Sequence, residues 1–345
     1  MAGRRTEEGS SLRNRRLVWW AGTALVGAVL FLAVRVWLLF QPLQPSTHHP
    51  TYVKVVPGQS AAQIGSMLYS KHLIRSALAF HVLSDINGQS RALQSGVYRL
   101  TPAESPGYML AMMERGEVVT IRVSIPEGFT VKEVVQRLVS HHIGSEAAFR
   151  SLLGHLLPGM PPAQKGVRDL YEGYLFPATY RFPYGTSAKA ALVTMWQTFK
   201  SRALPLYRQS HSSLSLVQWV TMASIIQQED KNPQDATKIS GVFNNRLRSN
   251  MSLQSDATVR YAIGHALAGP LTLADLQVNS PYNTYAHKGL PPGPISNPGM
   301  LALKAAATPA RVSYLYFIAL PNGHTLFATT YAQQLANIRY ANKHF

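Results

Sequence analysis

The sequence predicts an α+β protein on a single N-terminal transmembrane helix, with a small subdomain ahead of a larger mixed α+β domain. Three observations predict it. Leu17 to Val34 (LVWWAGTALVGAVLFLAV) runs eighteen residues without a charge, enough to cross a bilayer as a helix. A strand, a glycine turn and a capped amphipathic helix are spelled out twice downstream, at Val53 to Leu68 and again near Gly128 to Leu138. Val220-Thr-Met-Ala-Ser-Ile-Ile-Gln-Gln-Glu229 then reads as an apolar helix that delivers one carboxylate at its end.

Arg4, Arg5, Arg13, Arg15 and Arg16 precede the uncharged run, so the positive-inside rule makes residues 1–16 a cytoplasmic tail and 17–40 the membrane helix. Trp19, Trp20 and Trp37 stand near its two ends, where amphipathic rings prefer to lie. The run is long for the apolar part of a signal peptide, and no small-x-small cleavage site follows it cleanly, so we read an anchor. Residues 41–52, with three prolines in Gln41 to Thr51, read as a short extended tether. His48-His49 within it reads as a solvated pair rather than a metal site.

Residues 53–118 form the predicted small subdomain. Val53-Lys-Val-Val-Pro-Gly58 is a strand and turn, Ser60 caps a helix that buries Ile64 and Leu68, and Ser95 to Leu100 is a returning strand. Seventy residues on, Gly128, Thr130, Val134 and Leu138 echo Gly58, Ser60, Ile64 and Leu68. The first copy resembles a LysM-like module, a small glycan-binding fold. Residues 119–345 are left as the main domain.

The chain has 33 Lys plus Arg against 16 Asp plus Glu, a net charge of +17, which favours anionic partners. Nucleic acid is not indicated, because zinc-finger spacing, an RRM-type aromatic signature and a localised basic helix are all missing. With no Cys, disulfides, thiolate zinc sites and a thiol nucleophile are excluded. The sequence also lacks G-x-S-x-G, S-x-x-K, H-E-x-x-H and a phosphate loop, which removes the commoner serine hydrolases, zincins and nucleotide enzymes. His141-His142, at a predicted helix end, reads as surface.

Beyond residue 150 the acids are Asp169, Glu172, Glu229, Asp230, Asp235, Asp256 and Asp275, so any carboxylate chemistry there must use these. Glu229 is the candidate. Residues three, four and seven before it are Ile226, Ile225 and Met222, which puts the carboxyl on an apolar face. Desolvation there favours the neutral form, as a general acid at neutral pH requires. Leu253 to Tyr261, Ser280-Pro-Tyr-Asn-Thr-Tyr285 and Gly289 to Gly299 add stiff Pro/Gly loops bearing Tyr and Asn, consistent with a saccharide cleft or with a structural lid.

Thr221-Met-Ala-Ser-Ile-Ile-Gln-Gln-Glu229, Val242-Phe-Asn-Asn-Arg-Leu247, Leu253-Gln-Ser-Asp-Ala-Thr258, Ser280 to Tyr285, Gly289-Leu-Pro-Pro-Gly-Pro-Ile295 and Tyr314-Leu-Tyr-Phe317 together resemble the YceG-like family of endolytic murein transglycosylases. The resemblance covers nearly the whole chain and implies a catalytic domain of that family over 119–345. It places Glu229 at the catalytic position and Gln254, Ser255, Asp256, Tyr282, Asn283 and Thr284 in substrate binding, with no cofactor and no metal. It implies a protein of the bacterial inner membrane with a periplasmic catalytic domain, acting on peptidoglycan strands alongside peptidoglycan synthases. Three positions depart from the pattern: Gln227 for a usual Glu, Ala257 for Pro and Ala178 for a frequent Asp. By the implied mechanism Glu229 protonates the glycosidic oxygen between N-acetylmuramic acid and N-acetylglucosamine. It then accepts the proton of the muramoyl C6 hydroxyl as that oxygen closes a 1,6-anhydro ring, while Gln254 and Asn283 hold the N-acetyl group. A hydrolytic muramidase and a non-catalytic glycan-binding scaffold are the competing readings.

Overall fold

The computed structural model describes residues 5–86, 93–210, 212–229, 232, 234–265 and 269–344, and Asp230 lies outside them. They form two compact units, Met1–Thr120 and Ile121–Phe345.

The first unit begins with helix α1, Arg5–Leu38. Its Trp19, Trp20, Leu25, Phe31 and Trp37 are exposed. Among the described residues no helix is long and apolar enough to cross a membrane.

The segment after α1 differs from the expected extended tether. Arg75 Nη2 donates to the carbonyls of Pro42 at 3.1 Å and Leu43 at 2.9 Å, and Gln44 N donates to Pro102 O at 3.0 Å. Prolines leave carbonyls without ladder partners, and a multidentate guanidinium collects them. The segment is therefore folded onto its unit.

Strand β1, Thr51–Val55, pairs antiparallel with β2, Gly96–Leu100, in a register that sets Val53 opposite Tyr98. Between them run helices α2, Ala61–Ser70, and α3, Ala77–Ile86, and α4, Pro106–Arg115, follows. Val53, Val55, Ile64, Leu68, Phe80, Tyr98, Leu100 and Met109 make one core. The pattern is the alternation of a half-buried strand joined to the i, i+4 stripe of a helix.

The second unit opens by repeating this plan. Strand β3, Thr120–Ser124, pairs with β4, Thr179–Pro183, and helices α5, Val131–Ser140, and α6, Glu146–Leu153, lie between them in sequence. Both copies turn at a left-handed glycine, Gly58 at φ 83° and Gly128 at φ 81°, a conformation that a side chain would strain. Each then starts its helix with a complete capping box, Ser60 with Gln63 and Thr130 with Glu133. Ile64, Leu68, Val134 and Leu138 are all fully buried, so the echo read in the sequence is the same strand-helix-helix-strand unit used twice.

Helix α7, Ala188–Gln209, leads to α8, Leu216–Glu229, which carries the candidate acid. Every residue of α8 from Trp219 to Ile226 is buried. The expected apolar face is thus only part of the picture, since the helix is enclosed on all sides. Thr221 and Ser224 are accommodated there because their hydroxyls donate back to Val217 O and Thr221 O, both at 2.7 Å. Helices α9, Ala236–Arg248, and α11, Met300–Ala307, pack against α8, and α10, Asp256–Ile263, meets it where its N-cap Ser255 reaches Glu229. Strands β5, Tyr316–Ala319, and β6, Thr325–Ala328, form an antiparallel hairpin covered by α12, Tyr331–His344.

Candidate active site

The candidate acid sits where the buried helix surfaces. Glu229 is the last residue of α8 and is half-buried, immediately after the enclosed stretch. The two residues before it fasten this helix end to neighbouring loops. Gln227 Oε1 accepts from Gly299 N at 2.9 Å, at the start of α11. Gln228 Nε2 donates to Gly128 O at 2.7 Å, in the turn before α5. Gln227 therefore supplies a side-chain oxygen acceptor, the one function that a Glu at this position shares with it.

Ser255 Oγ donates to Glu229 Oε1 at 2.6 Å, the short distance of a hydroxyl bonded to a carboxylate. Ser255 is buried and held from behind, for its backbone N donates to Thr284 Oγ1 at 3.0 Å and Thr284 Oγ1 lies 2.8 Å from Thr258 Oγ1. Gln254 N also donates to Thr284 O at 3.1 Å. One threonine thus bridges two segments of the candidate site. Gln254 adopts φ 51° with its side chain exposed, a backbone state uncommon for a residue with a Cβ and frequent near functional sites.

Asp256 is exposed and accepts from Tyr285 Oη at 2.6 Å. Burial first, and the bond to Asp256 second, push the Tyr285 hydroxyl above its ordinary value, so it stays a neutral donor beside Glu229. Arg246, from α9, is buried and donates through Nε to Leu315 O at 2.6 Å and through Nη1 to Leu253 O at 2.8 Å and Gln254 Oε1 at 3.4 Å. Its guanidinium also lies over the Tyr316 ring, 5.2 Å from the centroid. Burial lowers its pKa while the charge of Glu229 acts the other way, and a guanidinium stays protonated regardless. Arg246 therefore places a fixed cation in the electrostatic reach of the acid.

The six residues expected to bind substrate separate into two groups. Gln254 and Asp256 are exposed at the site, whereas Ser255, Tyr282, Asn283 and Thr284 are buried. Asn283 is fully enclosed: its Nδ2 donates to Leu276 O and Val278 O, and its Oδ1 accepts from Tyr285 N and Ala286 N. That corrects the expectation that its amide meets an N-acetyl group, because both of its polar atoms are committed to loop backbone. Tyr282 is likewise engaged within the fold, its hydroxyl oxygen accepting from Arg168 N at 3.2 Å and its ring packing on Tyr261.

Sequence reasoning missed Tyr285, Arg246 and Thr258. All three stood inside quoted motifs, and the signal for Arg246 was its helical spacing, three residues after Phe243 and seven after Ile239 on the buried face of α9. Glu172, one of the acids available from the sequence but given no role there, is buried and accepts from Val131 N at 3.1 Å, Asn297 Nδ2 at 3.3 Å and Tyr261 Oη at 3.3 Å. Burial, then the nearby Asp169 charge, hold its carboxyl well above the usual range against the opposing pull of Val131 N and Tyr261. Among the described residues no group of three or more His, Asp or Glu is placed to hold a metal ion.

Residues 53–340, which include every residue of the candidate site, match the model of the YceG-like family. The chain belongs to the YceG-like family. It is 29% identical over 307 residues to a Bacillus subtilis (strain 168) protein named endolytic murein transglycosylase, covering 85% of each chain. A protein of the same name from Streptococcus pneumoniae (strain D39) is 28% identical over 308 residues, which are 81% of this chain and 56% of that relative's length. A crystal structure of a YceG-like protein from Listeria monocytogenes is similar at a TM-score of 0.55 and 31% identity, over 84% of this chain and 99% of that one. The YceG-like fold thus spans the site in which Glu229, Ser255 and Thr284 are linked.

Proposed function

We propose that this protein is an endolytic murein transglycosylase with Glu229 as its single general acid and base. The observation that carries the proposal is the Ser255–Glu229 hydrogen bond at the end of a buried helix, in a chain whose relatives bear that name. Ser255 orients one carboxyl oxygen. Glu229 protonates the leaving glycosidic oxygen, and the resulting carboxylate accepts the proton of the muramoyl C6 hydroxyl as that oxygen attacks C1. Atoms balance without water, and the intramolecular attack benefits from proximity. Arg246 balances the carboxylate that forms after proton donation. Gln254 and Asp256, exposed at the rim, contact the sugar.

The proposal extends to location. Residues 17–40 anchor the protein in the bacterial inner membrane in a single pass, with residues 1–16 cytoplasmic and the catalytic unit periplasmic. The uncharged run and the exposed apolar side chains of α1 support this. The strand-helix-helix-strand arrangement of residues 53–118 supports reading it as a LysM-like glycan-binding module, with peptidoglycan synthases as working partners.

The deciding experiment digests purified glycan strands and weighs the products by mass spectrometry. Internal fragments with 1,6-anhydro ends are expected; reducing ends indicate a muramidase, and intact strands a scaffold. Glu229→Gln keeps size and shape and removes the proton donor, so turnover should fall ~10²- to 10⁴-fold.

A further inference from the structure

The second unit has a cleft of about 480 Å³ whose lining includes Gln164, Lys165, Gln218, His287, Leu290 and Pro292. Its walls are braced. Gly166 adopts φ +88°, and a Cβ added there would stand 3.4 Å from Pro292 Cγ, so the turn carrying Lys165 is seated against the proline loop. Arg168 N bonds Tyr282 Oη at 3.2 Å, joining the same two segments. His287 N donates to Asn283 O at 2.9 Å, in the turn that the buried Asn283 side chain supports. Gln218 is fixed by a reciprocal bond pair with Ser215, at 3.0 and 3.3 Å. The ionisable residues lining the cleft are Lys165 and His287, with no carboxylate among them. Lys donates to an anion, His adds a ring N–H, and Leu290 and Pro292 offer apolar surface. This chemistry suits the end of a short peptide that bears a carboxylate and small apolar side chains.

The position is equally specific. Gln218 and Glu229 lie on one helix, eleven residues apart, which is about 16 Å along its axis at ~1.5 Å per residue. An extended peptide covers ~3.3–3.6 Å per residue, so about five residues match that straight-line separation. The segment that brings Pro281 and His287 to the cleft also carries Thr284, which holds the Ser255 that bonds Glu229. In murein the peptide branch leaves from N-acetylmuramic acid, the sugar whose C1 bond Glu229 is proposed to break. We infer that this cleft is a subsite for the carboxylate-bearing end of the strand's peptide branch. The inference rests on the proposed transglycosylase activity and adds a preference: strands that carry peptides are better substrates than bare glycan.

The test uses full-length protein and two substrates, uncrosslinked peptide-bearing strands and the same strands stripped of peptide by an amidase. The wild type should show kcat/KM on the order of 10-fold higher for the peptide-bearing strands, the scale of one hydrogen bond to a charged group. Lys165→Ala combined with His287→Ala should bring that ratio near one, leave the rate on stripped strands unchanged, and keep the wild-type melting temperature. A ratio that is the same in both proteins overturns the inference, as does a wild type that prefers stripped strands. If the wild type cuts neither substrate, the transglycosylase reading fails instead. Calorimetry with the released acidic peptides then judges the cleft by itself. Binding to Glu229→Gln that is lost when the Lys165 and His287 changes are added supports the subsite; binding to neither protein, or equally to both, overturns it.

Discussion

The amide of Gln228 reaches the carbonyl of Gly128 at 2.7 Å, so the glycine turn of the second strand-helix-helix-strand copy is fastened to the residue beside the proposed acid. The first copy has the same turn at Gly58, but it belongs to the other unit. Losing the Gln228 bond should therefore loosen Glu229 without unfolding the helix. In Gln228→Ala we expect kcat to fall about 2- to 10-fold, for a net bond of ~0.5–1.5 kcal/mol, with KM little changed. Unaltered kcat in a folded protein argues that Gln227 alone fixes the helix end.

Ser255→Ala removes the donor to Glu229 Oε1. A hydrogen bond to a charged group contributes ~1.5–3 kcal/mol, so kcat should drop about 10- to 100-fold. Ser255→Thr keeps the hydroxyl and should recover part of the rate. Equal rates for the Ala and Thr variants would show that the hydroxyl does not orient the acid.

Arg246→Met leaves the carbonyls of Leu315 and Leu253 without their buried donors. We expect a loss on the order of 3 kcal/mol and a melting temperature lower by roughly 6–12 °C. Arg246→Lys keeps the charge but not the fork, so it should recover activity more than stability. Thermal denaturation and single-turnover rates separate the two effects.

Glu172 gives a pH signature. Its folded pKa is raised above 4.5 by burial first and the Asp169 charge second. Below the unfolded value the group is neutral in both states, and the stability of the neutral buried form is fully present. That stability is lost as pH rises toward and through the raised folded pKa, because the unfolded chain releases a proton that the folded chain retains. Glu172→Gln is neutral at every pH, so its melting temperature should gain on the wild type as pH rises above the ordinary carboxyl value of 4.5. A difference that stays constant with pH would mean that Glu172 is ionised inside the fold.

Topology is testable on spheroplasts. Protease added from outside should digest residues 41–345 and leave a short membrane-protected fragment. Full protection of the chain would place the second unit in the cytoplasm and sink the proposed location.

The doubled unit was legible because each copy writes its own local signals: a glycine turn, a capping box and apolar residues four apart at Ile64 and Leu68 or Val134 and Leu138. Glu229 stood out as a candidate because a carboxylate closing a long apolar helix is uncommon, and it does end α8 with Ser255 bonded to it. The second layer of the site was not legible. Arg246 and Tyr285 come within electrostatic reach of Glu229 only through tertiary packing, and Thr258, a local neighbour of Ser255, meets Thr284 the same way; no spacing rule predicts these meetings. Asn283 misled because an amide on a stiff loop reads alike whether it faces a sugar or its own backbone. The linker misled for the same reason, since its partner Arg75 is more than thirty residues away.

That latch sets a working height. If α1 spans the bilayer, only three residues, 39–41, separate its end at Leu38 from Pro42, the first residue gripped by Arg75. Even fully extended, they allow about 10 Å of play. On that condition the first unit would ride at the lipid surface like a float on a short chain.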